Sequence, residues 1–162
     1  MFSREHTNLI QKLARQCLER GILLVTAESC TGGLLSSLLT QEAGSSKWFD
    51  RGFVTYSNNS KINSLGVQGG TIENFGAVSQ EVANEMSTGA LKNSEANLGI
   101  SITGIAGPEG GSLTKPVGTV YFSIANQEKV ILEHKSDFDG SRETIRKESV
   151  LFVLNKLLNL TL

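Results

Sequence analysis

Metal and triad chemistry have little to draw on in this sequence, because histidine and cysteine each occur only twice. There is no Cys-x-x-Cys, no His-x-x-x-His and no Asp/Glu cluster at ligand spacing, so a metal is not expected. His6 lies in a polar N-terminal stretch and His134 on a strand of a late hairpin. Neither has a carboxylate partner by sequence; both read as solvated, which argues against a Ser-His-Asp triad. Cys17 and Cys30 allow one bridge arithmetically, but Cys17 falls on the apolar face of a helix, which points to reduced thiols and a cytoplasmic protein. Charge of one sign is also missing. With 15 basic and 16 acidic residues, no nucleic-acid or membrane partner is expected, although one or two placed cations would still suffice for a small anion. No apolar run approaches the roughly 20 residues that span a bilayer. Arg4, Glu5 and His6 precede any apolar stretch, which does not fit a signal peptide.

What is present reads as an ordinary globular chain: 39% apolar and 19% charged over 162 residues, without repeats, low-complexity tracts or a linker. A single domain over residues 1–162 is expected. Leu9, Ile10, Leu13, Ala14 and Cys17 repeat at helical spacing, and Gly21 suits the end of that helix. Ile22–Thr26 is a short buried-type strand, and Leu34, Leu35, Leu38 and Leu39 form a second helical stripe. Trp48–Tyr56 reads as a strand, Asn58–Lys61 as a turn leading into a short helix that ends at Gly66, and Gly69-Gly70 and Gly76 as punctuation of a connection. Ser79 is a good N-cap for a helix through Val82, Ala83, Met86 and Ala90. Asn97–Thr103 is a third strand, followed by a Gly-rich loop from Gly104 to Gly118. Val117–Ala125 and Lys129–Phe138 alternate as a hairpin turning at Asn126-Gln127, and a last helix starts at Gly140-Ser141. Helices interleaved with early strands and a late hairpin predict an α/β fold, three layers α/β/α, with a mixed sheet of about five to six strands.

The turn after the first strand is the most informative segment. Ser29 stands where a buried strand hands over to a helix, and Thr31-Gly32-Gly33 opens that helix. A hydroxyl there suits attack on a carbonyl, with backbone N–H groups of Cys30 to Gly33 holding the oxyanion. Gly-x-Ser-x-Gly itself is absent, since position 27 is Ala and position 31 is Thr. A Ser-Thr helix cap with glycines for packing explains the same residues equally well. With no histidine placed as a base, Lys61 is the candidate, provided its ammonium is partly desolvated; a solvated surface lysine is the plainer alternative. Cys30 is a rival nucleophile that reads more readily as a buried packing residue. Thr31-Gly32-Gly33, the Gly-rich loop with Lys115, and Arg142 at the last helix start are candidate anion contacts, none of them specific alone.

Taken in order, Thr26-Ala-Glu-Ser-Cys-Thr-Gly-Gly33, Arg51-Gly-Phe-Val-Thr-Tyr-Ser-Asn58 with Lys61, Gly76-Ala-Val-Ser79, Thr103-Gly-Ile-Ala-Gly-Pro108 and Lys115-Pro-Val-Gly-Thr-Val120 resemble the CinA C-terminal domain family over nearly the whole chain. The resemblance is to its single-domain members. It implies hydrolysis of the carboxamide of nicotinamide mononucleotide to nicotinic acid mononucleotide and ammonia, without a cofactor. It also places the family's serine on Ser29, lysine on Lys61, tyrosine on Tyr56, threonine on Thr103 and the late Gly-x-Arg on Gly140-Ser141-Arg142. Roles follow as expectations: Ser29 the nucleophile, Lys61 its base, Tyr56 relaying protons or holding Lys61, Thr103 orienting the lysine or the substrate, and Cys30, Thr31, Gly32, Gly33, Gly104, Lys115 and Arg142 binding substrate and its phosphate. Position 60 departs from the pattern, being Ser where alanine is common. A homodimer is expected. An amidase for a related pyridine nucleotide and a non-catalytic nucleotide-binding module are the alternatives; turnover with ammonia release separates them.

Overall fold

In chain order the elements are α1 (Arg4–Arg20), β1 (Leu24–Glu28), α2 (Leu34–Leu39), a 3-10 turn (Ser45–Lys47), β2 (Phe49–Val54), α3 (Asn58–Leu65) and α4 (Gly69–Phe75). They continue with α5 (Gln80–Lys92), β3 (Leu98–Gly104), β4 (Thr119–Asn126), β5 (Val130–Asp137) and α6 (Arg142–Leu158). The computed structural model describes residues 4–160. The five strands form one mixed sheet in the order β2-β1-β3-β4-β5. Strand β1 runs parallel to both β2 and β3, while β3, β4 and β5 are successively antiparallel. This is the expected mixed sheet between two helical layers.

Strand alternation sorts the side chains between those layers. Leu98, Ile100 and Ile102 of β3, with Val120, Phe122 and Ile124 of β4, enter the core shared with α1, α2 and α6. Each such burial contributes about 1.5–3 kcal/mol. On the opposite face the same strands carry small polar residues beneath α5. Ser101 donates to the Ala83 carbonyl at 2.6 Å, and the Ser87 and Ser123 hydroxyls bond at 2.9 Å. This thin polar face lets α5 lie close to the sheet, and α5 in turn seats α3. Their contact is at Gly89, where an added Cβ would stand 1.9 Å from the Leu65 carbonyl oxygen.

Three expectations are corrected. The first strand begins and ends two residues later than Ile22–Thr26. The Ile22 N–H is spent closing α1 on Cys17 O at 2.8 Å, while Ala27 and Glu28 continue the ladder to β2 and β3. The Gly69–Phe75 segment is a helix, not a punctuated connection. Its N-terminus is capped from α5, because the Glu85 carboxylate accepts from the Gln68 N–H and the Thr71 hydroxyl, both at 2.7 Å. The histidines are only partly solvated: His6 is half-buried on α1. His134 is also half-buried, stacks on Phe152 at 4.5 Å, and has its pKa lowered by burial and by Lys156.

Candidate active site

At the end of β1 the chain leaves the sheet in one tight turn. Ser29 N–H still bonds to Ile102 O at 2.9 Å, Gly32 N–H folds back to Ser29 O at 3.0 Å, and Gly33 takes a left-handed φ of 91° before α2. The residue before the serine secures this geometry. Glu28 is fully buried, and its carboxylate accepts from the N–H groups of Gly33, Leu35 and Ser36 at 3.1, 3.1 and 2.8 Å and from the Ser36 hydroxyl at 2.7 Å. A carboxylate at a helix N-terminus is favourably placed, which compensates its burial. Those amides are therefore not open to a phosphate, contrary to the expectation for Gly33. Gly32 is likewise engaged with Ser29. Among the described residues, the amides of Cys30 and Thr31 are those of the turn that no backbone or carboxylate oxygen takes up.

The second half of the site comes from α3. Ser57 and Ser60 form a reciprocal capping box, each side chain accepting from the other's N–H at 3.1 Å. Ser60, the departure from the family pattern, thus helps start the helix that carries Lys61. Lys61 is 2% exposed, and its Nζ donates to Ser29 Oγ at 2.9 Å and to the Thr55 carbonyl at 2.8 Å. Among the described residues no carboxylate pairs with it. Burial lowers its pKa from the usual lysine range, and its place in the first turn of a helix acts in the same direction. The result is an amine disposed to be neutral, in contact with a hydroxyl. That is what a general base for serine requires. Ser29 itself is 9% exposed, nearly enclosed by the turn.

Cys30 does not compete. It is buried at 6% exposure, and burial pushes its thiol pKa up to about 12, so the nucleophilic thiolate is scarce at neutral pH. Tyr56 does not hold Lys61. It is 60% exposed, and its hydroxyl accepts from Arg142 Nη2 at 2.5 Å. The lysine is instead held by the main chain of the preceding residue, Thr55. Thr103 is buried, and its hydroxyl bonds to Ala77 O at 2.8 Å rather than to the lysine. Lys115 fastens the same neighbourhood, donating to Phe75 O at 2.7 Å and Val78 O at 2.6 Å. Gly104 is the point where β3 and β4 close up, since a Cβ there would meet Val120 Cγ2 at 2.7 Å. Arg142 also donates to Gly107 O at 2.8 Å, so it ties the Gly-rich loop to Tyr56. It borders an open groove of about 520 Å³ lined by Leu34, Arg142, Glu143, Arg146 and Lys147.

The structure therefore joins Ser29 with Lys61 directly and gathers Tyr56, Arg142 and the Gly107 segment nearby, while Thr103 and Lys115 brace the segment before α5. Sequence reasoning missed Glu28, Thr55 and Arg146. A carboxylate ending an apolar strand was a readable signal for Glu28, and the spacing of four from Arg142 was one for Arg146. Thr55 acts through its carbonyl, which no side-chain pattern reveals. The hydroxyls of Thr31 and Thr55 are both buried without a hydrogen-bond partner.

The family model described as the CinA C-terminal domain matches residues 6–161. The chain is 49% identical over 139 residues to nicotinamide-nucleotide amidohydrolase PncC of Enterobacter agglomerans, covering 86% of this chain and 85% of that one. It is 43% identical over 157 residues to the protein of the same name from Escherichia coli K12, covering 97% and 95%. Among solved structures, the competence/damage inducible protein CihA from Agrobacterium tumefaciens superposes with a TM-score of 0.93 at 42% identity, over 99% of both chains.

Proposed function

Since the chain belongs to the CinA C-terminal domain family, we propose that it is a nicotinamide-nucleotide amidohydrolase in which Ser29 and Lys61 carry the chemistry. The observation that carries this reading is the 2.9 Å contact between Lys61 Nζ and Ser29 Oγ, made by a buried amine with no carboxylate partner among the described residues. The relatives named as PncC supply the reaction class.

Neutral Lys61 accepts the Ser29 proton as Oγ attacks the carboxamide carbon of nicotinamide mononucleotide. The developing oxyanion is met by the amides of Cys30 and Thr31, the donors that the Glu28 cap leaves open. Collapse of the tetrahedral intermediate breaks the C–N bond, and the proton on Lys61 leaves with ammonia. Water then attacks the ester on Ser29, giving a proton to Lys61, and Lys61 returns it to Ser29 Oγ as the ester C–O bond breaks and nicotinic acid mononucleotide departs. The phosphate belongs at the Arg142 side of the site. Arg142 spends donors on Tyr56 and Gly107, but a guanidinium has five. The reading extends to a cytoplasmic location and to a homodimer, the latter checked by light scattering of the purified protein.

The test is ammonia release from nicotinamide mononucleotide, its riboside and free nicotinamide. The mononucleotide is expected to be preferred by a wide margin in kcat/KM. Ser29→Ala is expected to lose on the order of 10³-fold or more in kcat. Near-normal turnover by that variant refutes the assignment.

A further inference from the structure

Arg142 and Arg146 lie four positions apart on α6, so they share a face. Arg142 reaches Tyr56 and Gly107, whereas Arg146 reaches the nucleophile turn: its Nη2 donates to the Thr31 carbonyl at 2.8 Å. That carbonyl is one end of the peptide group whose other end, the Gly32 N–H, bonds to Ser29 O at 3.0 Å. Polarising a carbonyl strengthens its own N–H as a donor. Two hydrogen bonds in series therefore run from a permanent cation to the backbone of the nucleophile. The guanidinium lies against the turn, since a Cβ on Gly32 would stand 3.6 Å from Arg146 Nη2, and the side chain also lines the groove beside Arg142.

Helix packing alone gives no reason for arginine here. Its Nε is buried without a partner, and among the described residues no carboxylate makes an ion pair with it within 4 Å. A shorter or apolar side chain on α6 avoids that unpaired donor. We propose that Arg146 is a positioning residue for Ser29, acting through the Thr31–Gly32 peptide rather than on the substrate. The inference rests on the Ser29–Lys61 reading.

The test uses Arg146→Met, Arg146→Gln and Arg146→Lys in the full chain, with two measurements. One is steady-state turnover of nicotinamide mononucleotide. The other is the rate at which a small β-lactone acylates Ser29 without substrate, followed by intact-protein mass. For Arg146→Met, kcat is expected to fall about 10- to 100-fold, the effect of a nucleophile displaced by a fraction of an ångström to about 1 Å. KM is expected to stay within about threefold, and lactone labelling to slow in parallel. Arg146→Gln, which keeps an amide donor for Thr31, is expected to recover part of the loss. Wild-type labelling and kcat in Arg146→Met, or a rise in KM alone, overturns the proposal. If Arg146→Met is unfolded by circular dichroism, the Gln and Lys variants carry the same comparison. Failure of wild-type Ser29 to label, together with an active Ser29→Ala, instead overturns the dyad itself.

Discussion

Replacing glycine by alanine inside a helix ordinarily stabilises it by about 0.8–1 kcal/mol. At Gly89 the structure predicts the opposite sign. The new Cβ would stand 1.9 Å from the Leu65 carbonyl oxygen, while ordinary contact begins at 3.4 Å. The end of α3 must therefore retreat by about 1.5 Å, because the obstacle is main chain and cannot rotate aside. Overpacking of this kind costs about 3 kcal/mol at the upper end of its usual range. Less the gain in helix propensity, about 2 kcal/mol remains, or roughly 4–8 °C in Tm for a chain of this size. Leu65 closes the helix that carries Lys61, so the retreat also draws Nζ away from Ser29 Oγ. Displacement near 1 Å lowers kcat by up to about 100-fold. Calorimetry and ammonia release on Gly89→Ala measure the two effects. Gly70→Ala is the control: nothing lies within 4 Å of its added methyl, so it is expected to keep full activity and melt slightly higher. A Gly89→Ala protein that melts at or above wild type with unchanged kcat refutes the reasoning.

If Lys61 is the base proposed for Ser29, it sets the pH dependence. Burial lowers its pKa below the usual 10.5, so kcat/KM is expected to rise with pH as the amine is freed and to level off before an exposed lysine titrates. A flat profile, or a limb at the ordinary lysine value, removes Lys61 as the base. Stability follows the same sign: between the folded pKa and 10.5 the unfolded chain binds the extra proton, so unfolding free energy climbs with pH there and is lost as pH falls through that window. Denaturant titrations of wild type and Lys61→Met across the window show the difference, which vanishes if the amine is solvated. Cys30→Ala is expected to keep kcat within about threefold, since truncating a packing side chain alters stability more than chemistry. Iodoacetamide should leave the native enzyme active, and rapid inactivation through Cys30 contradicts a thiol pKa of about 12.

The layered fold was readable because β1, β3 and the β4–β5 hairpin carry their own periodicity and turn residues. Ser29 and Lys61 were readable as individuals, one by its strand-to-helix turn and the other by its loop. Their contact is a tertiary fact, made by seating α3 on α5 at Gly89, and no local pattern encodes it. The α4 helix escaped notice for a related reason: two glycines open it, and its cap is Glu85 from another helix. Tyr56 and Thr103 show the limit of matching residues one by one. Both stand at the expected positions, yet their hydroxyls bond to Arg142 and Ala77, not to the lysine. The anion-binding helix start failed on Glu28, whose carboxylate already fills it.

That internal carboxylate separates two tasks within the site. With the positive pole of α2 answered from inside the protein, bond cleavage faces the substrate from an electrically quiet corner. On the proposed reading, attraction for a charged tail falls to Arg142, rooted in a distant part of the chain on α6, and to the loop it grips. Preference for one tail over another can then be rewritten at Arg142 and that loop, while the hydroxyl and amine assigned to the amide chemistry keep their own contact.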